Sequence, residues 1–315
     1  MTAAFTIDRP KERPGPGPTP VALLRALDLT IGRRIHGVLP GEFRAHDLGG
    51  GLELAQIRPY QPGDDVRRID WNVTARTTVP HVRVHVPERA LTSWLVLDLS
   101  PSMTFGTALR RKADVAEGVA LAVGHLATQR GNRLGIVTFG DGADRRVPPR
   151  VGRDGLLATL LLARDATDLT SEAAPSVPVE ATSPAAALQF VAATAPRGGL
   201  VVVVSDFRGP RDWLRPMAAL AARHEVVAVE IDDPRESDLP DVGELTLIDA
   251  ETGREVRVDT TSPGLRARFA EAATAERAEI SHELRRLGVG HIVLSTATSW
   301  LPSLAAQLRV QGMAS

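Results

Sequence analysis

Short apolar stretches alternate with longer amphipathic stretches through the last two thirds of the chain. The apolar stretches have the length and the branched side chains of buried parallel strands, and they cover residues 94–99, 133–139, 200–204, 225–231 and 291–294. Between and after them, apolar residues recur at helical spacing, which predicts helices over 110–130, 154–164, 211–223, 264–287 and 301–310. Repeated strand–helix units of this kind predict an α/β fold, a mostly parallel sheet with helices on both faces.

The first 90 residues follow a different pattern. Residues 1–20 contain five prolines and few apolar side chains, which predicts a disordered leader. Residues 21–35 show helical spacing, and 36–90 combine a Pro-Gly-Asp-Asp turn with the strictly alternating HVRVHV of a strand. We therefore expect a helix and a small, mostly β subdomain over 21–90, followed by the α/β domain over 91–315.

Composition and charge exclude several classes of protein. The chain has 315 residues, of which 43% are hydrophobic, enough for a sizeable core. Its formal net charge of −1 provides no overall attraction to nucleic acid or to an anionic membrane. The sequence contains no cysteine, which excludes disulfides and thiolate metal sites. Since the sequence has neither a signal-peptide pattern nor an apolar run of transmembrane length, we expect a cytoplasmic protein.

Two of the predicted strands end in aspartate with hydroxyl side chains nearby. Asp98 begins the pattern Asp-x-Ser-x-Ser with Ser100 and Ser102, and Asp206 directly follows a serine at the end of a later strand. Thr182 lies at the start of a predicted helix. Ligands of open α/β sheets bind beyond the carboxyl ends of the strands, and carboxylate and hydroxyl oxygens suit a small hard cation such as Mg²⁺. The alternative is that these oxygens only cap the helices that follow.

The sequence resembles two known patterns. Asp-x-Ser-x-Ser, with a later threonine and a later strand that ends in aspartate, resembles the metal-ion-dependent adhesion site of von Willebrand factor A domains. Upstream, GGGLELAQIRPYQPGDDVRRIDWNVTAR resembles the signature of the family called domain of unknown function 58. The resemblance covers residues 30–310.

The resemblance implies an adaptor rather than an enzyme. Members of the family are commonly encoded beside MoxR-type AAA+ ATPases in bacteria, which implies a role with such an ATPase in chaperone-like maturation of client proteins. It also implies a von Willebrand factor A-like domain with a Mg²⁺ site, Mn²⁺ and Ca²⁺ being alternatives. The implied metal ligands are Asp98, Ser100, Ser102, Thr182 and Asp206. A carboxylate from a partner protein would complete the coordination.

Two alternatives use the same crevice. A metal-dependent hydrolase or phosphatase is the first, although the sequence contains no P-loop, no His-Glu-x-x-His and no Gly-x-Ser-x-Gly. The second is a metal-free structural scaffold. The charged residues between 58 and 89 likewise have two interpretations, a solvated surface on one hand and a docking face or salt-bridge clamp on the other.

Overall fold

The computed structural model describes residues 15–18, 52–87, 92–127, 132–140, 145–151, 183–250 and 253–313. These residues fall into two compact units, of which the smaller contains 52–87 and the larger contains the others. The helices predicted over 21–35 and 154–164 lie outside the described residues.

The smaller unit is built on a hairpin. Strands β1 (Leu52–Pro59) and β2 (His81–Pro87) pair antiparallel, which confirms the strand predicted from HVRVHV. The Pro-Gly-Asp-Asp segment forms a turn in which the Asp64 amide donates to the Gln61 carbonyl at 3.0 Å. The Arg58 guanidinium donates to both carboxylate oxygens of Asp64, at 2.8 Å and 2.7 Å. This ion pair therefore joins the turn to the end of β1 within one unit.

Helix α1 (Trp71–Thr77) of the smaller unit was not predicted from the sequence. Asp70 caps its N-terminus, because one carboxylate oxygen accepts hydrogen bonds from the amides of Asn72 and Val73 at 3.0 Å and 3.2 Å. The subdomain expected to be mostly β thus includes a helix.

The larger unit contains a six-stranded sheet. Its strands are β3 (Thr92–Asp98), β4 (Arg133–Phe139), β5 (Arg146–Val151), β6 (Leu200–Ser205), β7 (Glu225–Asp232) and β10 (Gly290–Ser295). The spatial order is β10-β7-β6-β3-β4-β5, and all neighbours are parallel except β4 and β5. The predicted fold class, a mostly parallel sheet flanked by helices, is confirmed.

Five described helices and a second hairpin belong to this unit. The helices are α2 (Lys112–Ala127), α3 (Pro184–Thr194), α4 (Leu214–Ala221), α5 (Pro263–Arg286) and α6 (Trp300–Met313). The hairpin consists of β8 (Glu244–Ile248) and β9 (Glu255–Asp259). Within the described part of the chain, none of the helices combines the length and the apolar character that a membrane span requires.

The core has two layers because side chains alternate between the faces of each central strand. In β3, Leu95 and Leu97 belong to the layer that also contains residues of α2 and α6, whereas Trp94 and Val96 belong to the layer with residues of α3, α4 and α5. These four side chains are at most 2% exposed. Strands β3 and β6 are neighbours at the centre of the sheet, so their carboxyl ends meet at one edge.

Part of the predicted leader contacts the larger unit. The Pro16 carbonyl accepts hydrogen bonds from the indole Nε1 of Trp300 at 2.7 Å and from the Arg110 guanidinium at 2.9 Å. Residues 15–18 are thus held near the start of α6, whereas the rest of the leader lies outside the described residues.

Replacing Gly135 with alanine is expected to destabilise the larger unit. Gly135 lies in β4, and a Cβ atom there would come within 2.7–2.9 Å of three ring carbons of Trp94. Since Trp94 is buried, this overlap should lower the free energy of unfolding by about 1–3 kcal/mol, measured by chemical denaturation.

The control is Gly264→Ala near the start of α5, where a Cβ atom would have no neighbour within 4 Å. Its stability should be unchanged or slightly higher, because alanine favours a helix over glycine. An equal loss of stability in both variants would contradict the packing of Gly135 against Trp94.

Candidate functional site

Two aspartates meet at the carboxyl edge of the sheet. Asp98 is the last residue of β3, and Asp206 directly follows the neighbouring strand β6. Their side chains are buried, with Asp98 4% and Asp206 3% exposed. The structure therefore brings together two of the predicted metal ligands that lie far apart in the sequence.

Three serines link these two carboxylates in one hydrogen-bond network. The Ser205 hydroxyl donates to Asp98 Oδ2 at 2.5 Å, and the Ser100 hydroxyl bonds to the same carboxylate. The hydroxyl oxygens of Ser100 and Ser102 lie 3.0 Å apart, and Ser102 in turn bonds to Asp206. Ser100 and Ser102 are partly exposed residues, whereas both aspartates are buried.

The backbone after β3 holds this network in place. The Ser100 amide donates to Asp98 Oδ1 at 2.9 Å, which turns the chain directly after the strand. A short 3₁₀ helix, Pro101–Thr104, then places Ser102 beside Ser100. Gly140 at the end of β4 has a φ of +100°, and a Cβ atom there would lie 2.8–2.9 Å from Cα and Cβ of Ser100. A side chain at position 140 would therefore displace the loop that carries the serines.

Lys112 adds a cation that the sequence pattern did not reveal. It is the first residue of α2 and is 0% exposed. Its Nζ atom lies 2.7 Å from Asp206 Oδ2 and 2.7 Å from Glu236 Oε1. A lysine in the first turn of a helix faces the positive end of the helix dipole, which is unfavourable without an acidic partner. The position of a lysine at the start of a predicted helix is therefore the signal in the sequence that could have indicated a nearby carboxylate.

The two aspartates differ in their electrostatic environment. Burial and the nearby charge of Asp206 raise the pKa of Asp98 to about 7. Burial would also raise the pKa of Asp206, but the Lys112 ammonium, together with hydrogen bonds from the Arg208 amide and Ser102, keeps this pKa below its ordinary value. The structure shows no ion pair between Asp98 and any described cation. Among the described residues, Asp98 is thus the buried carboxylate of the site without a counter-ion.

Hydrogen bonds extend from Lys112 to the loops after β7 and β10. Glu236 Oε2 accepts a hydrogen bond from the Asp233 amide at 3.0 Å. The Asp233 carboxylate in turn accepts from the hydroxyls of Thr107 and Thr296 at 2.5 Å and 2.6 Å. This arrangement fixes the loops that surround the two aspartates.

Thr182, the remaining predicted ligand, lies outside the described residues. The next residue, Ser183, caps α3 by accepting a hydrogen bond from the Ala185 amide at 3.0 Å. Its hydroxyl also donates to the Asp212 carboxylate. The role of Thr182 as a metal ligand stays a prediction.

The donor set fits a hard divalent cation. It offers two carboxylates and the hydroxyls of two partly exposed serines, which are the kinds of oxygen ligand that Mg²⁺ binds. A cation would also neutralise the unpaired charge of Asp98. In the part of the chain that the structure describes, no three His, Cys, Asp or Glu side chains are arranged to hold a metal. A metal at this edge would therefore need the serine hydroxyls as ligands as well as carboxylate oxygens.

Comparison with known proteins identifies the family of this chain. A family model described as "Protein of unknown function DUF58" matches residues 56–279. The chain belongs to the DUF58 family. "Uncharacterized protein Rv1480" of Mycobacterium tuberculosis is 43% identical over 290 residues, which cover 91% of this chain and 88% of that relative. "Uncharacterized protein Mb1516" of Mycobacterium bovis shows the same identity and coverage.

Solved structures resemble this DUF58 chain at low sequence identity. The "conserved hypothetical protein BatB" of Bacteroides thetaiotaomicron aligns over 71% of this chain and 100% of its own, with 10% identity and a TM-score of 0.41. The "SpRpn10 VWA domain" aligns over 70% of this chain and 95% of its own, with 10% identity and a TM-score of 0.37. At these scores the resemblance carries no conclusion about the site.

Replacing Asp98 with asparagine should change how stability depends on pH. The pKa of Asp98 is about 7 in the folded chain and about 4 when unfolded, so folding takes up a proton between these values. The free energy of unfolding in EDTA should therefore fall from pH 5 to pH 8 in the wild type. The fall should be smaller in Asp98→Asn, which we expect to exceed the wild type in stability at pH 8 by at least about 1 kcal/mol.

Urea denaturation at the two pH values measures this difference. The pKa of Asp206 is lowered, so Asp206 titrates below this range. As a control, Asp241→Asn changes a carboxylate whose side chain is 57% exposed and paired with Arg266, and it should keep the wild-type slope. A wild-type slope in Asp98→Asn would contradict the account of this carboxylate.

Proposed function

We propose that this DUF58 protein is a non-enzymatic adaptor that binds partner proteins through a Mg²⁺-dependent site at the carboxyl edge of the sheet. The observation that supports this most strongly is the Asp98 carboxylate, which is buried without a described counter-ion beside two partly exposed serines. Asp98, Ser100 and Ser102 would hold the metal, with Asp206 linked through Ser102 and with Thr182 as the further predicted ligand. The bound Mg²⁺ would supply a positive charge to which a carboxylate of the partner can bind.

The chain's own residues would orient this site before a partner arrives. Ser205 donates to one oxygen of Asp98 and the Ser100 amide donates to the other, so the carboxylate is fixed in position. Ser100 and Ser102 are the partly exposed residues of the network, whereas both aspartates are buried. We therefore expect a partner's carboxylate to approach on the side of these two serines.

We further propose a MoxR-type AAA+ ATPase as the partner, with chaperone-like maturation of client proteins as the process. This part of the proposal is supported by the resemblance of the Gly-rich and Pro-Gly-Asp-Asp segment to the family signature and by membership of the family. The cytoplasmic location expected from the sequence stays a prediction.

Mg²⁺ binding by the full chain tests the metal site. Isothermal titration calorimetry should detect binding to the wild type, and Asp98→Ala should bind at least about tenfold more weakly, because a carboxylate next to the metal is lost. The control Asp241→Ala removes an exposed carboxylate and should bind as the wild type does. Equal binding by wild type and Asp98→Ala would contradict the site.

Retention of a candidate ATPase on the immobilised chain tests the adaptor role. We expect retention in Mg²⁺ and its loss in EDTA and in the Asp98→Ala variant. Retention that is indifferent to EDTA would favour the metal-free scaffold instead. Hydrolysis of p-nitrophenyl phosphate that disappears in Asp98→Ala would favour the hydrolase and contradict a purely adaptor role.

A further inference from the structure

Lys112 lies against the proposed metal site but is not one of its ligands. Its ammonium is fully buried and is 2.7 Å from a carboxylate oxygen of Asp206 and 2.7 Å from one of Glu236. Burial of a charged group is costly unless its partners compensate it, and here both partners are carboxylates. The structure thus holds a permanent positive charge directly behind one of the two aspartates.

We propose that Lys112 is a positioning residue that sets the charge of the site. Lys112 is the counter-ion of Asp206, so Asp98 is the carboxylate that remains available to a divalent cation. This inference rests on the proposed Mg²⁺ site and specifies how that site is tuned.

The charges around the site support this role. Asp98, Asp206 and Glu236 bring three negative charges when ionised, and Lys112 neutralises one of them. A divalent cation would then bring the cluster to neutrality. In the absence of Lys112, the loaded site would keep a net negative charge, which repels a carboxylate of a partner protein.

Lys112 should therefore lower the affinity of the site for the metal. It should also reduce the repulsion between the loaded site and an anionic partner. The ammonium and the metal repel each other, and Lys112 also competes for Asp206. Among the described residues, Arg208 is a second cation beside this cluster, but its guanidinium lies 3.5 Å from Glu236 and its side chain is 31% exposed. Solvent screens Arg208, so the buried Lys112 has the larger effect on the metal.

A purely structural role of Lys112 predicts a different result. If Lys112 only joined the loops after β6 and β7, removing either end of the bridge to Glu236 would disturb the site in the same way. Lys112→Gln and Glu236→Gln would then both weaken Mg²⁺ binding. Charge tuning predicts opposite changes, because the first variant removes a positive charge and the second a negative one.

The experiment measures Mg²⁺ affinity of the full chain by isothermal titration calorimetry for the wild type and these two matched variants. We expect Lys112→Gln to bind at least about tenfold more tightly and Glu236→Gln to bind more weakly than the wild type. In thermal unfolding, Lys112→Gln should have a lower Tm than the wild type in EDTA. MgCl₂ should raise the Tm of this variant more than that of the wild type, since the metal replaces the lost charge.

Shifts of both variants in the same direction, or affinities equal to that of the wild type, would overturn the inference. A Lys112→Gln chain that stays unfolded in saturating MgCl₂ would also overturn it, because the metal should restore the charge balance. Should the wild type and both variants all fail to bind Mg²⁺, the proposed function itself is wrong. Wild-type binding that requires Asp98, without tighter binding by Lys112→Gln, overturns the role of Lys112 alone.

Discussion

The buried Lys112 ammonium holds the carboxyl edge of the sheet together. It bonds to Asp206 after β6 and to Glu236 after β7, and Asp233 extends these contacts to Thr296 after β10. Removing one member of a buried ion pair typically costs about 3–5 kcal/mol, because the remaining charge is left uncompensated in the interior. The loops around the two aspartates are therefore fixed by the fold itself, before any partner or metal binds.

This constraint makes the two aspartates unequal. Asp206 has its charge compensated by Lys112, and its pKa is accordingly held below the ordinary value against the effect of burial. Asp98 accepts hydrogen bonds from hydroxyl and amide donors and has no cation beside it among the described residues. Burial and the nearby charge of Asp206 raise its pKa to about 7. A site of this kind holds an uncompensated carboxylate next to two partly exposed serines, which is the property that an incoming cation would use.

Most of the sheet could be predicted from the sequence because buried parallel strands are continuous apolar runs. The observed bounds of β4, Arg133–Phe139, are those predicted, and β6 extends the predicted strand by one serine. Helix α1 was not predicted because WNVTART contains β-branched residues, which disfavour a helix. The helix also depends on the cap that Asp70 provides.

The sequence predicts only those residues of the site that form a short pattern or directly follow a predicted strand. Asp98, Ser100 and Ser102 form a pattern within five residues, and Asp206 is marked by the strand that it follows. The contact between Lys112 and Glu236 joins residues 124 positions apart and depends on how the loop after β7 folds back. Hydrophobic periodicity carries no information on such a contact. The signal that could have indicated it is the unfavourable position of a lysine at a helix N-terminus.

Anomalous diffraction from crystals of the full chain grown with MnCl₂ would locate the metal, because Mn²⁺ can replace Mg²⁺ at oxygen ligands and gives an anomalous signal. We expect a peak in contact with oxygen atoms of Asp98, Ser100 and Ser102, with Lys112 still bonded to Asp206. A site without manganese at this edge, or manganese bound to Asp206 with Lys112 displaced, would contradict it.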